Sequence, residues 1–253
     1  MENRDRELAK AAMLAGEIML VSGAEIARIE ETIHYILSVA DREAQTMVFS
    51  TGIFVTLREA GEEPVTLVRR VTDRATNLNR ICQVNEVSRR ICAGTLAVPE
   101  ALTRLEEIRR VNQYGLAAKG VSYIWVAFFF GIVLGGTPWD CLGAALVGAA
   151  LGAVVYVSSR LGLNGFCVNA LGAFACGITA LLLNRFALPQ TSRDIMIVSS
   201  IMPLVPGVIF TTAVRDTLNG DYSSGAARML EAAVVALAGF AFTFLHRRLA
   251  ARS

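Results

Sequence analysis

The chain has 253 residues, a mean hydropathy of +0.49 and a formal net charge of +2, with 54% of its residues hydrophobic. That is too apolar for an ordinary soluble domain of this length. The charges are also unevenly spread: only 13 of the 46 Asp, Glu, Lys and Arg residues follow Gly120. The part before it holds 16 basic and 17 acidic residues, a balance that excludes the basic face a nucleic-acid binder needs.

The split predicts two domains, 1–116 and 117–253. The fold class that follows is an α+β cytosolic domain followed by an all-α polytopic membrane bundle of about five helices. The N-terminal stretch carries Glu2, Arg4, Asp5, Arg6, Glu7, Lys10 and Glu17. It has no apolar core of signal-peptide length, so the first domain is expected in the cytoplasm. The five cysteines form no CxxC pair, and three lie in apolar runs, where they read as small buried hydrophobes.

In chain order, residues 5–21 set Leu8, Ala12, Ala15, Ile18 and Met19 at a helical period. Ser22-Gly23-Ala24-Glu25 reads as a capping box opening a second helix, whose stripe is Ile26, Ile29, Ile33, Ile36 and Ala40. Residues 45–49 and 53–57 read as two strands joined through Ser50-Thr51-Gly52. A third strand at 65–68 follows a turn at Gly61-Glu62-Glu63-Pro64. A helix over 74–91 is expected with Thr72 or Asp73 as its cap. Another opens at Pro99, a good first-turn residue, and runs to residue 112, carrying Leu102, Leu105 and Ile108.

The soluble half carries no Walker loop, no GxSxG, no HExxH and no metal cluster, so no catalytic residue, metal or cofactor is read from it. His34 and His246 read as surface or interface residues, and Glu30-Glu31 as a solvated face.

Apolar segments follow at 121–136, 141–158, 166–183, 195–214 and 230–245. Several are near the ~17-residue lower limit for a span, with 117–120 available to lengthen the first. Trp125 and Trp139 sit near segment ends. Small residues recur at four-residue spacing, at Gly131/Gly135, Ala144/Gly148/Gly152 and Ala173/Gly177, a pattern that lets helices approach closely in lipid. An odd number of spans puts the C-terminus outside. The Arg-rich tail favours the inside, so either the fourth segment is broken and does not span or the tail is tolerated outside.

That fourth segment holds Pro203, Pro206 and Gly207 within five residues, which must disrupt an α-helix. Freed carbonyls at membrane depth need partners or a watery cavity, and transporters use such breaks to bind ions and solutes. Arg215, Asp216, Asp221, Arg228 and Glu231 then cluster around the turn Asn219-Gly220, with Ser223 or Ser224 as the cap of the last helix. An Arg fork suits a carboxylate, and a solvated loop with local salt bridges is the competing reading.

These blocks together resemble the threonine/serine exporter family of bacterial membrane proteins. The resemblance lies in Ser22–Glu30, in the hairpin with Thr51-Gly52, in 77–89, and in Pro203–Gly207 followed by Arg215-Asp216, Gly220-Asp221, Ser224-Gly225, Arg228 and Glu231-Ala232. It implies an inner-membrane secondary transporter that exports small amino acids or carboxylic acids, driven by proton motive force. With only five spans the chain resembles the larger subunit of the split form, which works with a second small membrane subunit. In that branch a dicarboxylate such as succinate joins threonine and serine as a solute.

The expected contacts are therefore a small carboxylate-bearing solute, membrane lipid, the second subunit and a higher homo- or hetero-oligomer. The expected solute path holds Pro203, Pro206, Gly207, Thr211, Arg215, Asp216, Gly220, Asp221, Ser224, Glu231 and Asn169. The cytosolic-domain motif is Gly23, Glu25, Arg28 and Glu30. The rival readings are a membrane-anchored hydrolase-like enzyme and a regulatory subunit acting through the N-terminal domain.

Overall fold

The computed structural model describes residues 3–40, 43–58, 64–72, 75–111 and 114–250, with the backbone alone at 3, 4, 116 and 238–250. By contact the chain forms two compact units. One is Met1–Val111 with Val208–Met229; the other is Asn112–Gly207 with Leu230–Ser253. Grouping by contact thus differs in one respect from a single division near residue 116: a late segment, 208–229, joins the N-terminal unit. The reason is a set of polar contacts described below.

The N-terminal unit runs α1 (Asn3–Val21), α2 (Ile26–Leu37), β1 (Glu43–Phe49), β2 (Gly52–Arg58), β3 (Val65–Arg70), α3 (Leu78–Cys92) and α4 (Val98–Arg110). The strands form one antiparallel sheet in the order β1-β2-β3. The small sheet and these helices fit the α+β expectation for this part of the chain.

Beyond the exposed Lys10, α1 is buried on nearly every side, through Ala11, Ala12, Ala15, Ile18 and Met19, as suits a helix at the centre of a core. Against it lie the α2 stripe Ile26, Ile29, Ile33 and Ile36 and the inward sheet residues Val48, Ile53, Val55 and Leu57. Gly16 lets α1 and α2 close up, since a Cβ there would sit 2.6 Å from Ile33 Cδ1.

The sheet register pairs Phe49 with Gly52, so the hairpin turn is Ser50-Thr51 and Gly52 is the first residue of β2. Its glycine answers a close approach: an added Cβ would meet the Arg69 carbonyl oxygen at 3.2 Å. The turn expected at 61–64 falls, but for Pro64, outside the described residues.

The corner between α1 and α2 departs from the sequence reading. Ser22 opens no capping box. It ends α1: Gly23 N–H donates to the Leu20 carbonyl at 3.2 Å and Ala24 N–H to the Met19 carbonyl at 3.0 Å, with Gly23 at φ +82°. This is a Schellman closure, and the left-handed residue it needs is the glycine. α2 begins at Ile26, and the Glu25 side chain makes no cap hydrogen bond.

α3 also starts later than expected. Ala75 and Asn77 donate backbone N–H groups to the Val21 and Ser22 carbonyls, which holds this stretch extended beside the corner. The helix then opens at Leu78 with Asn77 as cap, its side chain accepting from Arg80 N–H at 3.1 Å. Thr72 is not the cap, and Asp73 and Arg74 lie outside the described residues. Pro99 sits in the first turn of α4, which ends at Arg110.

The second unit holds α5 (Leu116–Val133), α6 (Pro138–Arg160), α7 (Gly165–Leu182) and α8 (Arg193–Ile201), with a π-helical turn after α7 and a 3-10 turn, Met202–Leu204, after α8. α9 (Gly207–Leu218) and α10 (Tyr222–Ala250) follow. Each of the apolar segments read from the sequence is helical, and the fourth is broken.

Among the described residues, Pro138–Arg160 and Gly165–Ala187 are long and apolar enough to cross a membrane, and the broken pair α8–α9 makes a third if counted as one span. Ala117–Val133 is a shorter apolar helix.

The small residues of α5 and α6 mark where these helices touch. At Gly148 a Cβ would lie 2.6 Å from the Tyr123 carbonyl oxygen, and at Gly152 it would lie 3.2 Å from that of Gly120. Gly131 faces the Cys141 Cα at 3.2 Å. Gly135, its partner by spacing, lies past the end of α5 in the turn to α6.

Candidate functional site

The break in the fourth segment follows from its prolines. Pro203 has no N–H for the carbonyl four residues back, so α8 tightens into the 3-10 turn. Val205, ahead of Pro206, is pushed to extended backbone at φ −70°, ψ 126°. The helix restarts at Gly207, where an added Cβ would meet nothing within 4 Å. Pro203, Pro206 and Gly207 belong to the second unit, as do Asn169 on α7 and Glu231 on α10.

α9 carries the next expected residues. Thr211 is exposed and its hydroxyl donates to the Val208 carbonyl at 3.0 Å. α9 closes as α1 does: Gly220 N–H donates to the Thr217 carbonyl at 3.1 Å and Asp221 N–H to that of Asp216 at 2.9 Å, with Gly220 at φ +93°. The tight turn leaves only Asn219, Gly220 and Asp221 between the helices. Asp221, rather than Ser223 or Ser224, therefore precedes α10, and Ser224 is buried in the corner. α9 and α10 cross closely at Gly225, where a Cβ would overlap the Thr217 hydroxyl and lie 3.0 Å from the Ala213 carbonyl oxygen.

Within the N-terminal unit, this corner meets the first turn of α2. Ile26 N–H, one of the unpaired donors at the start of α2, donates to Asp216 Oδ1 at 3.0 Å across 190 residues of sequence. The other carboxylate oxygen of Asp216 lies 3.2 Å from Arg228 Nε. Arg228 Nη2 donates to the Ala24 carbonyl at 2.8 Å. Asp216 is 0% and Arg228 4% exposed. Outside this buried pair, Arg215 and Glu25 form a further ion pair with the Arg215 side chain 66% exposed. A carboxylate that sequence reasoning assigned to the solute path is thus the cap of a helix near the other end of the chain.

Glu30 sits one turn further along α2. Its Oε1 accepts the Val48 N–H at 2.8 Å, so it ties α2 to β1 and is no part of a purely solvated face. Burial pushes its carboxyl above the usual glutamate range; the Val48 hydrogen bond opposes this and the nearby charge of Asp221 adds to it. Gly23 is the left-handed residue of the corner, and Arg28 points to solvent. The structure therefore pairs Glu25 with Arg215 and Asp216 with Arg228, and sets Asp221 near enough to Glu30 and Asp216 for its charge to act on both. Among the described residues, no group of three or more His, Cys, Asp or Glu side chains could hold a metal ion.

Asp140 was missed. It is buried at the start of α6, where its Oδ2 accepts from the Thr137 N–H at 2.8 Å and hydroxyl at 2.7 Å in a capping box. Its Oδ1 accepts from Ser192 N–H at 2.6 Å, so one carboxylate joins the starts of α6 and α8. The signal was present: Thr137-Pro138-Trp139-Asp140 precedes an apolar run with the spacing of a capping box.

Residues 10–244 match the family described as "Putative threonine/serine exporter". The chain belongs to the threonine/serine exporter family. A protein of Mycobacterium tuberculosis (strain ATCC 25618 / H37Rv) named "Probable threonine/serine exporter" is 24% identical over 239 residues, which cover 90% of this chain and 43% of that relative. The chain thus spans less than half the length of this exporter-family relative. No solved structure matches the chain. Family membership and the apolar helices together make this a membrane protein.

Proposed function

We propose that this chain exports small amino acids, threonine and serine first, as a secondary transporter of the inner membrane. The observation that carries the proposal is a helix broken at Pro203 and Pro206 in a chain of this exporter family. Small carboxylic acids such as succinate are the further solutes in this reading, and proton motive force is the driver. Five crossings, by α5, α6, α7, the broken pair α8–α9 taken as one span and the apolar part of α10, put residues 1–116 in the cytoplasm and the C-terminus outside. An odd number of helices suits one half of an inverted pair, with a second small membrane subunit supplying the other half. Arg215, paired at the surface, is the cation that a solute carboxylate can reach.

The test is efflux from cells preloaded with labelled threonine, serine or succinate, with this chain expressed alone and beside a small membrane protein of the same family. Efflux of one solute that needs both proteins and is lost in Arg215→Ala is the expected result. Absence of efflux of all three, with both proteins shown in the membrane, would overturn the proposal.

A further inference from the structure

We infer that Asp216 and Arg228 are positioning residues of the exporter, which fix the second half of the broken helix to the first turn of α2, and that Arg228 does not take the solute. The inference rests on the export reading above for its functional part; its structural part stands on geometry alone.

A buried ion pair loses hydration on both partners and is retained only where further hydrogen bonds complete it. Here each partner also bonds backbone of the α1–α2 corner: Asp216 Oδ1 accepts the Ile26 N–H at 3.0 Å and Arg228 Nη2 donates to the Ala24 carbonyl at 2.8 Å. The Ile26 N–H is a donor that no helix can satisfy internally at its start, and the Ala24 carbonyl lies in the connection outside both helices. The corner and the pair therefore fix one another.

The α9–α10 corner is itself tight. Its Schellman turn takes up both ends of the connection, and Gly225 lies against Thr217 and Ala213. α9, the turn and the first residues of α10 thus form one piece, and α2 holds it. Any solute carboxylate reaching Arg228 would first have to displace Asp216 from an enclosed pair. Arg215 is different: its partner Glu25 holds it at the surface, where exchange for another carboxylate costs little.

The test uses full-length protein with Asp216→Asn, Asp216→Ala, Arg228→Lys and Arg215→Ala. Asn keeps an acceptor for Ile26 N–H and loses the charge facing Arg228. Lys keeps a charge but cannot span Asp216 and the Ala24 carbonyl together. The maximal export rate should fall about tenfold in Asp216→Asn and Arg228→Lys, since a hydrogen bond to a charged group is worth that or more. The solute KM should stay within about twofold of the unchanged protein, because no solute contact is lost.

Hydrogen exchange should then show residues 24–30 and 207–218 losing protection together in Asp216→Ala and keeping it in Arg215→Ala. A raised KM with unchanged maximal rate in Arg228→Lys would overturn the inference and make Arg228 a solute ligand. Loss of protection in 24–30 alone would overturn it too, since α9 would then be held by something else. Should the unchanged protein export nothing, the export reading fails while the exchange experiment still decides the positioning claim.

Discussion

Gly148→Ala tests whether the α5–α6 seam is as close as the structure has it. The added methyl would lie 2.6 Å from the Tyr123 carbonyl oxygen and 2.8 Å from the Ala127 Cβ. The first of these belongs to a helix backbone, so the helices must part by about an ångström, an overpacking cost of about 1–3 kcal/mol. Alanine returns about 1 kcal/mol of helix propensity, leaving a net loss of up to about 2 kcal/mol. Gly152→Ala, 3.2 Å from a carbonyl oxygen, needs only a few tenths of an ångström of adjustment and should come out near neutral. Gly165→Ala, with nothing within 4 Å, is the control.

The assay follows from the cysteines. Cys141 and Cys176 are buried in this unit. In protein carrying Ser at Cys82, Cys92 and Cys167, a thiol-reactive dye in mild detergent therefore reports when the unit opens on heating. The opening temperature should fall in the order Gly148 variant first, then Gly152, then Gly165. Equal temperatures for Gly148→Ala and Gly165→Ala would refute the close seam.

Other outcomes follow from individual contacts. Reversing the surface pair, Glu25→Arg with Arg215→Glu, should restore the small stability loss of either single reversal, under about 1 kcal/mol; it should not restore export if Arg215 meets the solute, and efflux beside thermal stability separates the two. Asp140→Ala strands the Ser192 and Thr137 N–H groups and should cost about 2–4 kcal/mol, read by the same dye assay. Leu105→Ala, at a fully buried α4 position, should cost about 2–5 kcal/mol in the N-terminal unit, seen as a lowered temperature for loss of its circular dichroism. For Glu30, burial and the Asp221 charge raise the folded carboxyl above its unfolded value, so the folded state binds the proton more tightly. Stability should therefore fall as pH rises from the unfolded glutamate range through that raised value, and Glu30→Gln, which keeps an acceptor for Val48 N–H, should flatten this part of the pH–stability curve.

Much of the N-terminal unit was legible because its signals are periodic. The α2 isoleucines, the alternating strands and Pro99 each follow from spacing that one element can satisfy alone. The boundaries that moved were decided by neighbours: α3 starts late because 75–77 bonds to the α1–α2 corner, and Ser22-Gly23 closes a helix because the glycine takes φ +82°. A sequence window carries the same Ser-x-x-Glu pattern whether the backbone there enters a helix or leaves one.

The sequence by itself determined the charge-rich and apolar halves, the break at Pro203 and Pro206, and the family, since hydropathy, proline chemistry and ordered motifs are local properties. Only the tertiary structure decided that Asp216 caps α2, that Arg228 closes on Ala24, and that 208–229 belongs with the N-terminal unit. Those facts join groups 190 or more residues apart, and a side chain's partner across such a distance is set by how the chain returns on itself, which no local period encodes.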